Sequence, residues 1–240
     1  MSELHAVVGI GAHPDDLEVV MGGTAAILAR RGLAVLFVDL TDGEPSRHAP
    51  PGVRRRQAEE AARILGVDRI TMEYQDRLLK DTPEARIAVA ALIRTHRPRY
   101  LFTSGGCGVH PDHKAITEIV INGAFYARLS SWEAVPGGEA LADSQPHEIE
   151  RLFLGHCRME PPWDRFDFAV DVSEVYDRKR AALAAYTSVF GGDQKILLDR
   201  FEAEDRYVGS LVGVEYAEPF KARGPLLVDD PTVFRKVRYG

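Results

Sequence analysis

The chain has 240 residues, 45% of them hydrophobic and 28% charged, with a formal net charge of -6. That is enough apolar material for one packed domain, so disorder of the whole chain is excluded, and the negative balance argues against a nucleic-acid binder working through a general basic surface. No apolar run approaches the roughly 20 residues of a membrane-spanning helix, and the N-terminal Met-Ser-Glu-Leu-His lacks a signal-peptide layout, so a cytoplasmic protein with no membrane partner is expected.

The first predicted element is a β-strand over Ala6 to Gly11, ending at the polar turn His13-Pro14-Asp15-Asp16. A helix from Met21 to Arg31 follows, stopped by Gly32, and Leu33 to Leu40 (LAVLFVDL) reads as a strand buried on both faces. After a polar loop from Thr41 to Gly52 come a helix around Arg54 to Leu65, a strand near Ile70 to Tyr74, a helix near Pro83 to Thr95 and a strand over Arg99 to Thr103. This β-α alternation predicts an α/β fold: a Rossmann-like, mostly parallel sheet flanked by helices, whose ligands gather outside the carboxyl ends of the strands. The stretch from Pro136 to Pro146 is rich in Gly, Pro, Ser and Asp and reads as a mobile surface loop or lid edge. Strand-like runs at Arg151 to His156 and Phe166 to Val172, then helices near Glu174 to Phe190 and Lys195 to Gly209, complete the chain as a C-terminal strand and helix extension of a single domain spanning residues 1–240.

Chemistry concentrates in two short motifs that share a His-Pro-Asp core: His13-Pro14-Asp15-Asp16 and His110-Pro111-Asp112-His113. Cys107 and Cys157 are too few and too far apart for a thiolate zinc site, so any metal must be held mainly by histidines and carboxylates. A hydrolytic zinc site needs about three such ligands and an open position, a set that His13, Asp16 and His113 supply. Asp15 is then a candidate proton acceptor, although an aspartate after Pro14 equally suits a helix N-cap. His110 is a candidate to stabilise an oxyanion or protonate a leaving amine, and Asp112 to orient His110 or a metal-binding histidine. Two histidines and one carboxylate also suit ferrous iron. Gly9, Gly11, Gly22 and Gly23 do not complete a dinucleotide fingerprint, and two carboxylates in that turn would repel a phosphate.

The stretch GAHPDDLEVVMGGTAAILARRG, then LTDGE, RRRQAEEAARILGV and HPDHKA, resembles the LmbE-like, or PIG-L, family of zinc-dependent N-acetylglucosaminyl deacetylases. The later DFAVDVSEVYDRKRAALAAYTSVF and RYVGSLVGVEYAEPF are similar to the branch acting on N-acetylglucosaminyl-malate in bacillithiol biosynthesis. The resemblance implies zinc on His13, Asp16 and His113, a general base at Asp15, an electrostatic or acid role for His110, and malate or sugar binding by Arg54. It further implies a small-molecule amino-sugar substrate and a homo-oligomer, commonly a hexamer. Ser104-Gly105-Gly106-Cys107-Gly108-Val109 departs from that branch, which has an acidic-basic pair before the second motif. A glycine-rich approach is found instead in relatives acting on the mycothiol precursor. Arg54 also sits in a run with Arg55 and Arg56, and such runs are usually solvated helix faces.

Overall fold

The computed structural model describes residues 4–46, 48–105, 110–155 and 166–227; the expectations for Gly106 to Val109, with Cys107, and for His156 and Cys157 lie outside these. Strands β1 (Val7–Gly11) and β2 (Val35–Thr41) are buried along their whole length, as expected for apolar runs covered on both faces. With β3 (Asp68–Tyr74), β4 (Tyr100–Ser104), β5 (Arg151–Gly155), β6 (Phe168–Asp171) and β7 (Ala217–Ala222) they form one sheet in the order β3-β2-β1-β4-β5-β7-β6. The first five strands in chain order pair in parallel, with Val7 opposite Val35 on one side and Tyr100 on the other, while β7 pairs antiparallel with β5 and β6.

Successive side chains of a strand point to opposite faces, and the sheet accordingly separates two cores. Val7 and Phe37 face a core completed by helices α1 (Asp16–Arg30), α2 (Val53–Leu65), α6 (Tyr176–Ala184) and α8 (Gln194–Val212). Val8, Ile10, Leu36 and Val38 face the other, completed by α3 (Pro83–His96) and α4 (Pro111–Ala127). Among the described residues, no helix is long and apolar enough to cross a membrane.

Five local features depart from expectation. Helix α1 starts at Asp16 rather than Met21, and Met21 (φ -147°, ψ 16°) interrupts it instead of opening it. The interruption is possible because the carboxylate of Glu218, on β7, accepts the N–H groups of Gly23 at 2.8 Å and Thr24 at 2.7 Å. Glu218 is fully buried and pairs with the equally buried Lys179 of α6 (2.7 Å), which also meets Asp205 of α8 (2.8 Å). Helix α4 and strand β7 were not expected at all. Pro111 occupies the first turn of α4 and His110 caps it, so what reads as loop is a helix start. The predicted helix over Glu174 to Phe190 breaks into α6 and the short α7 (Thr187–Phe190). Finally, the stretch from Pro136 to Pro146 is anchored: it holds the short α5 (Glu139–Ala142), Leu141 is buried, and Arg94 donates to the carbonyls of Leu141 and Ser144 at 2.7 and 3.0 Å.

Candidate active site

From β1 the sheet grows through β2 on one side and β4 on the other, which makes the carboxyl ends of β1 and β4 the point where the strand order reverses. His13 to Asp16 lie between β1 and α1, and His110 to His113 between β4 and α4, so the two motifs meet there. The three rings of His13, His110 and His113 have centroids between 4.7 and 5.3 Å apart.

Asp16 is the centre of this cluster. The backbone N–H groups of Ala12 (3.1 Å) and His13 (2.9 Å) donate to its Oδ2, which fixes the carboxylate in the turn. Nδ1 of His13 lies 3.5 Å from Oδ2 and Nε2 of His113 lies 3.1 Å from Oδ1. Burial opposes a charge on His13, yet Asp16 and Asp76 raise its pKa to about 10. His113 is raised too, with Asp16 overcoming burial, and the two imidazoles hold Asp16 well below the usual carboxylate range against its own burial. Two imidazoles thus flank one carboxylate in a place that stabilises positive charge, and ligand atoms of His13, His110 and His113, and of His13, Asp76 and Asp112, lie within 4.8 Å of one another. That donor chemistry fits zinc, and equally ferrous iron.

The other edge of His13 is also fixed. Its Nε2 lies 2.9 Å from Asp76 Oδ1 and 3.2 Å from Asp112 Oδ2. With Nε2–H donated to these carboxylates, Nδ1, which faces Asp16, is the nitrogen that would bind a metal once its proton is lost. Asp112 is fully buried and also accepts the backbone N–H of Arg77 at 2.7 Å. Its carboxylate therefore braces His13, and only its backbone N–H reaches His110, donating to Nδ1 at 3.3 Å. Because that nitrogen accepts, the proton of a neutral His110 sits on Nε2. Burial and the neighbouring cationic His13 and His113 lower the His110 pKa, which keeps the ring neutral and an N–H donor at neutral pH.

Asp15 occupies the N-cap position of α1 but makes no capping hydrogen bond with its side chain. Its φ of 110° is a conformation side chains rarely adopt, and strain of this kind persists only where surrounding contacts enforce it. Those contacts come from Arg54, whose Nη2 donates to Asp15 Oδ1 at 2.7 Å and to the Pro14 carbonyl at 2.8 Å. Nε of Arg54 donates to Pro14 O (3.2 Å) and Nη1 to Gly43 O (3.1 Å), so most of the guanidinium N–H groups are engaged within the chain. Burial raises the Asp15 pKa and Arg54 lowers it, leaving it at about 6.

A cavity of about 400 Å³ opens over these groups, lined by His13, Asp15, Asp16, Arg54, Asp76, His110 and His113, with Gly43, Pro45, Ser46, His48, Arg77, Ser188 and Val189 around them. The structure therefore brings His13, Asp15, Asp16, Arg54, His110 and His113 to one cavity and places Asp112 just behind it. Sequence reasoning missed Asp76 and Arg77, which share no spacing with either histidine motif; a polar pair in the turn between β3 and α3, at the carboxyl end of a strand, was the available signal.

The family profile described as PIG-L, GlcNAc-PI de-N-acetylase, matches residues 8–124. Diacetylchitobiose deacetylase of Thermococcus kodakarensis is 28% identical, over 90% of this chain and 82% of its own. The probable N-acetyl-α-D-glucosaminyl L-malate deacetylase 2 of Bacillus anthracis is 28% identical, over 91% of this chain and 95% of its own. A conserved protein of Thermus thermophilus has a crystal structure that superposes with a TM-score of 0.84 at 34% identity, covering 94% of this chain and 97% of that one.

Proposed function

The chain belongs to the PIG-L family of de-N-acetylases, enzymes that hydrolyse amide bonds, and on that premise we propose that it removes the acetyl group from an N-acetylglucosamine conjugate with the help of a divalent metal. The observation that carries the reading is the Asp15 carboxylate, buried, strained and tied to Arg54, beside two imidazoles that share the Asp16 carboxylate.

His13, Asp16 and His113 would hold the ion, zinc in the first instance. When bound, it supplies Lewis acidity that acidifies water and polarises the acetyl carbonyl. Asp15, with a pKa near 6, is ionised at neutral pH and takes the proton of the attacking water. The Nε2–H of neutral His110 donates to the oxygen that gains charge as the carbonyl carbon becomes tetrahedral. The proton collected by Asp15 then passes to the leaving nitrogen, so that an amine and acetate depart. Asp112 and Asp76 hold His13 in one tautomer throughout, and Asp76, whose pKa is lowered by His13 despite partial burial, offers an anionic acceptor to sugar hydroxyls.

For the substrate, the leading reading is N-acetylglucosaminyl-malate in bacillithiol biosynthesis, supported by the Bacillus anthracis relative and its near end-to-end alignment. The similarity to a diacetylchitobiose deacetylase favours a second reading, another N-acetylated amino sugar. Acetate release by the metal-loaded protein tests both, with the malate conjugate, diacetylchitobiose, N-acetylglucosamine and the inositol conjugate side by side. Preference for the malate conjugate supports the first reading; release from none of the four, with metal bound, removes the deacetylase proposal.

A further inference from the structure

One cavity residue has no part in the scheme above and an unusual backbone. Arg77 has a φ of 69°, in the left-handed region that glycine and asparagine tolerate best. The conformation has a use, since it aims the Arg77 N–H at Asp112 Oδ2 (2.7 Å) and so braces His13 from behind. A glycine would serve that backbone purpose with less strain, so it does not account for an arginine here.

The side chain does. Its surface is 63% exposed, in contrast to the 13% of Arg54. Nε lies 3.4 Å from Asp76 Oδ2 and Nη2 donates to the Pro45 carbonyl at 3.3 Å, contacts that steer the fork along the cavity wall. Nη1 meets no acceptor among the described residues. Asp76 joins the two ends of the site, with Oδ1 on His13 Nε2 and Oδ2 on Arg77 Nε, so the open end of the fork sits one carboxylate away from the metal-binding histidine. Arg54, the other guanidinium of the cavity, is largely buried and most of its donors are engaged by Asp15, Pro14 and Gly43.

We infer that Arg77 is the specificity-determining residue of this site, gripping a carboxylate or phosphate on the group attached to the amino sugar. The assignment rests on the deacetylase reading and moves anion recognition from Arg54 to Arg77. A planar guanidinium with free donors on the cavity wall is suited to such an oxygen pair, and the charge on the group favours anionic over neutral conjugates.

Arg77→Gly is the direct test, because it keeps the positive φ and the N–H to Asp112 and removes only the side chain; Arg77→Lys keeps the charge without the fork. The ratio of kcat/KM for an anionic conjugate to that for neutral diacetylchitobiose is measured for the wild type and both variants, with N-acetylglucosaminyl-malate as the carboxylate and N-acetylglucosamine 1-phosphate as the phosphate. The ratio is expected to fall about 10- to 100-fold in the glycine variant, the worth of a charge-assisted pair, with partial recovery in the lysine variant. The arm that falls further identifies the anion. A ratio within two-fold of wild type in Arg77→Gly overturns the inference. Calorimetric binding of the malate conjugate is read in parallel, so that absent turnover counts against the deacetylase proposal alone. Weaker binding to Arg77→Gly still supports the inference, and equal or undetectable binding to both proteins overturns it.

Discussion

Replacing Arg54 with glutamine separates two roles for this residue, substrate grip and control of Asp15. Asp15 is buried, its pKa of about 6 is the balance between burial raising it and Arg54 lowering it, and both side chains are nearly inaccessible. Glutamine removes the charge and one charge-assisted hydrogen bond, a loss of about 2 kcal/mol, which at 1.36 kcal/mol per unit is a rise of roughly 1.5 units. The acidic limb of the kcat/KM profile should therefore move from about 6 to roughly 7.5. Activity should fall about four-fold at pH 7 and about 30-fold well below the limb, and return as the pH rises. The assay is acetate release across pH 5 to 9 with metal content measured in each sample. An unmoved limb, with only KM for anionic substrates increased, would refute the control role and restore Arg54 to substrate binding.

Asp15→Asn should retain the metal, since Asn cannot accept the proton yet leaves His13, Asp16 and His113 untouched; kcat is expected to drop about 10²- to 10⁴-fold, and unchanged turnover would remove Asp15 from the chemistry. Metal uptake should release protons. The His13 pKa of about 10 means that this ring is protonated in the metal-free protein at pH 7, His113 is shifted in the same direction by Asp16 against its burial, and a ligating nitrogen must give up its proton. Affinity should then rise with pH over this range, and calorimetry in buffers of different protonation enthalpy should show net proton release; none would contradict the ligand set. Lys179→Met leaves Glu218 and Asp205 facing each other in the core, and a loss of about 3–5 kcal/mol is expected in denaturant unfolding. A loss below about 1 kcal/mol would mean the buried charges are compensated elsewhere.

The Rossmann-like order and the meeting of the two histidine motifs could be read in the sequence because apolar strands alternating with amphipathic helices leave few topologies, and strand ends collect ligands. What escaped reading depends on partners far along the chain. The α1 start was misplaced because His13 to Val20 looks polar and broken, and only Glu218, almost two hundred residues later, makes the break at Met21 acceptable. Strand β7 carries a proline and two charged residues in six, so neither alternation nor an apolar run marks it; its Glu218 is a core residue only because Lys179 waits inside. For Arg54, the spacing placed it at the cavity but could not say that its fork turns back onto Pro14, Gly43 and Asp15.

The clasp between Glu218 and the interrupted first helix sets an order of events for the growing polypeptide. The aspartates and histidine of the first motif precede the partner histidines of the second, complete by residue 113, but the turn of α1 behind them lacks the acceptor for Gly23 and Thr24 until β7 has been made. A nascent chain stopped before residue 218 would contain every proposed metal-binding side chain and still lack the anion that closes the helix carrying one of them.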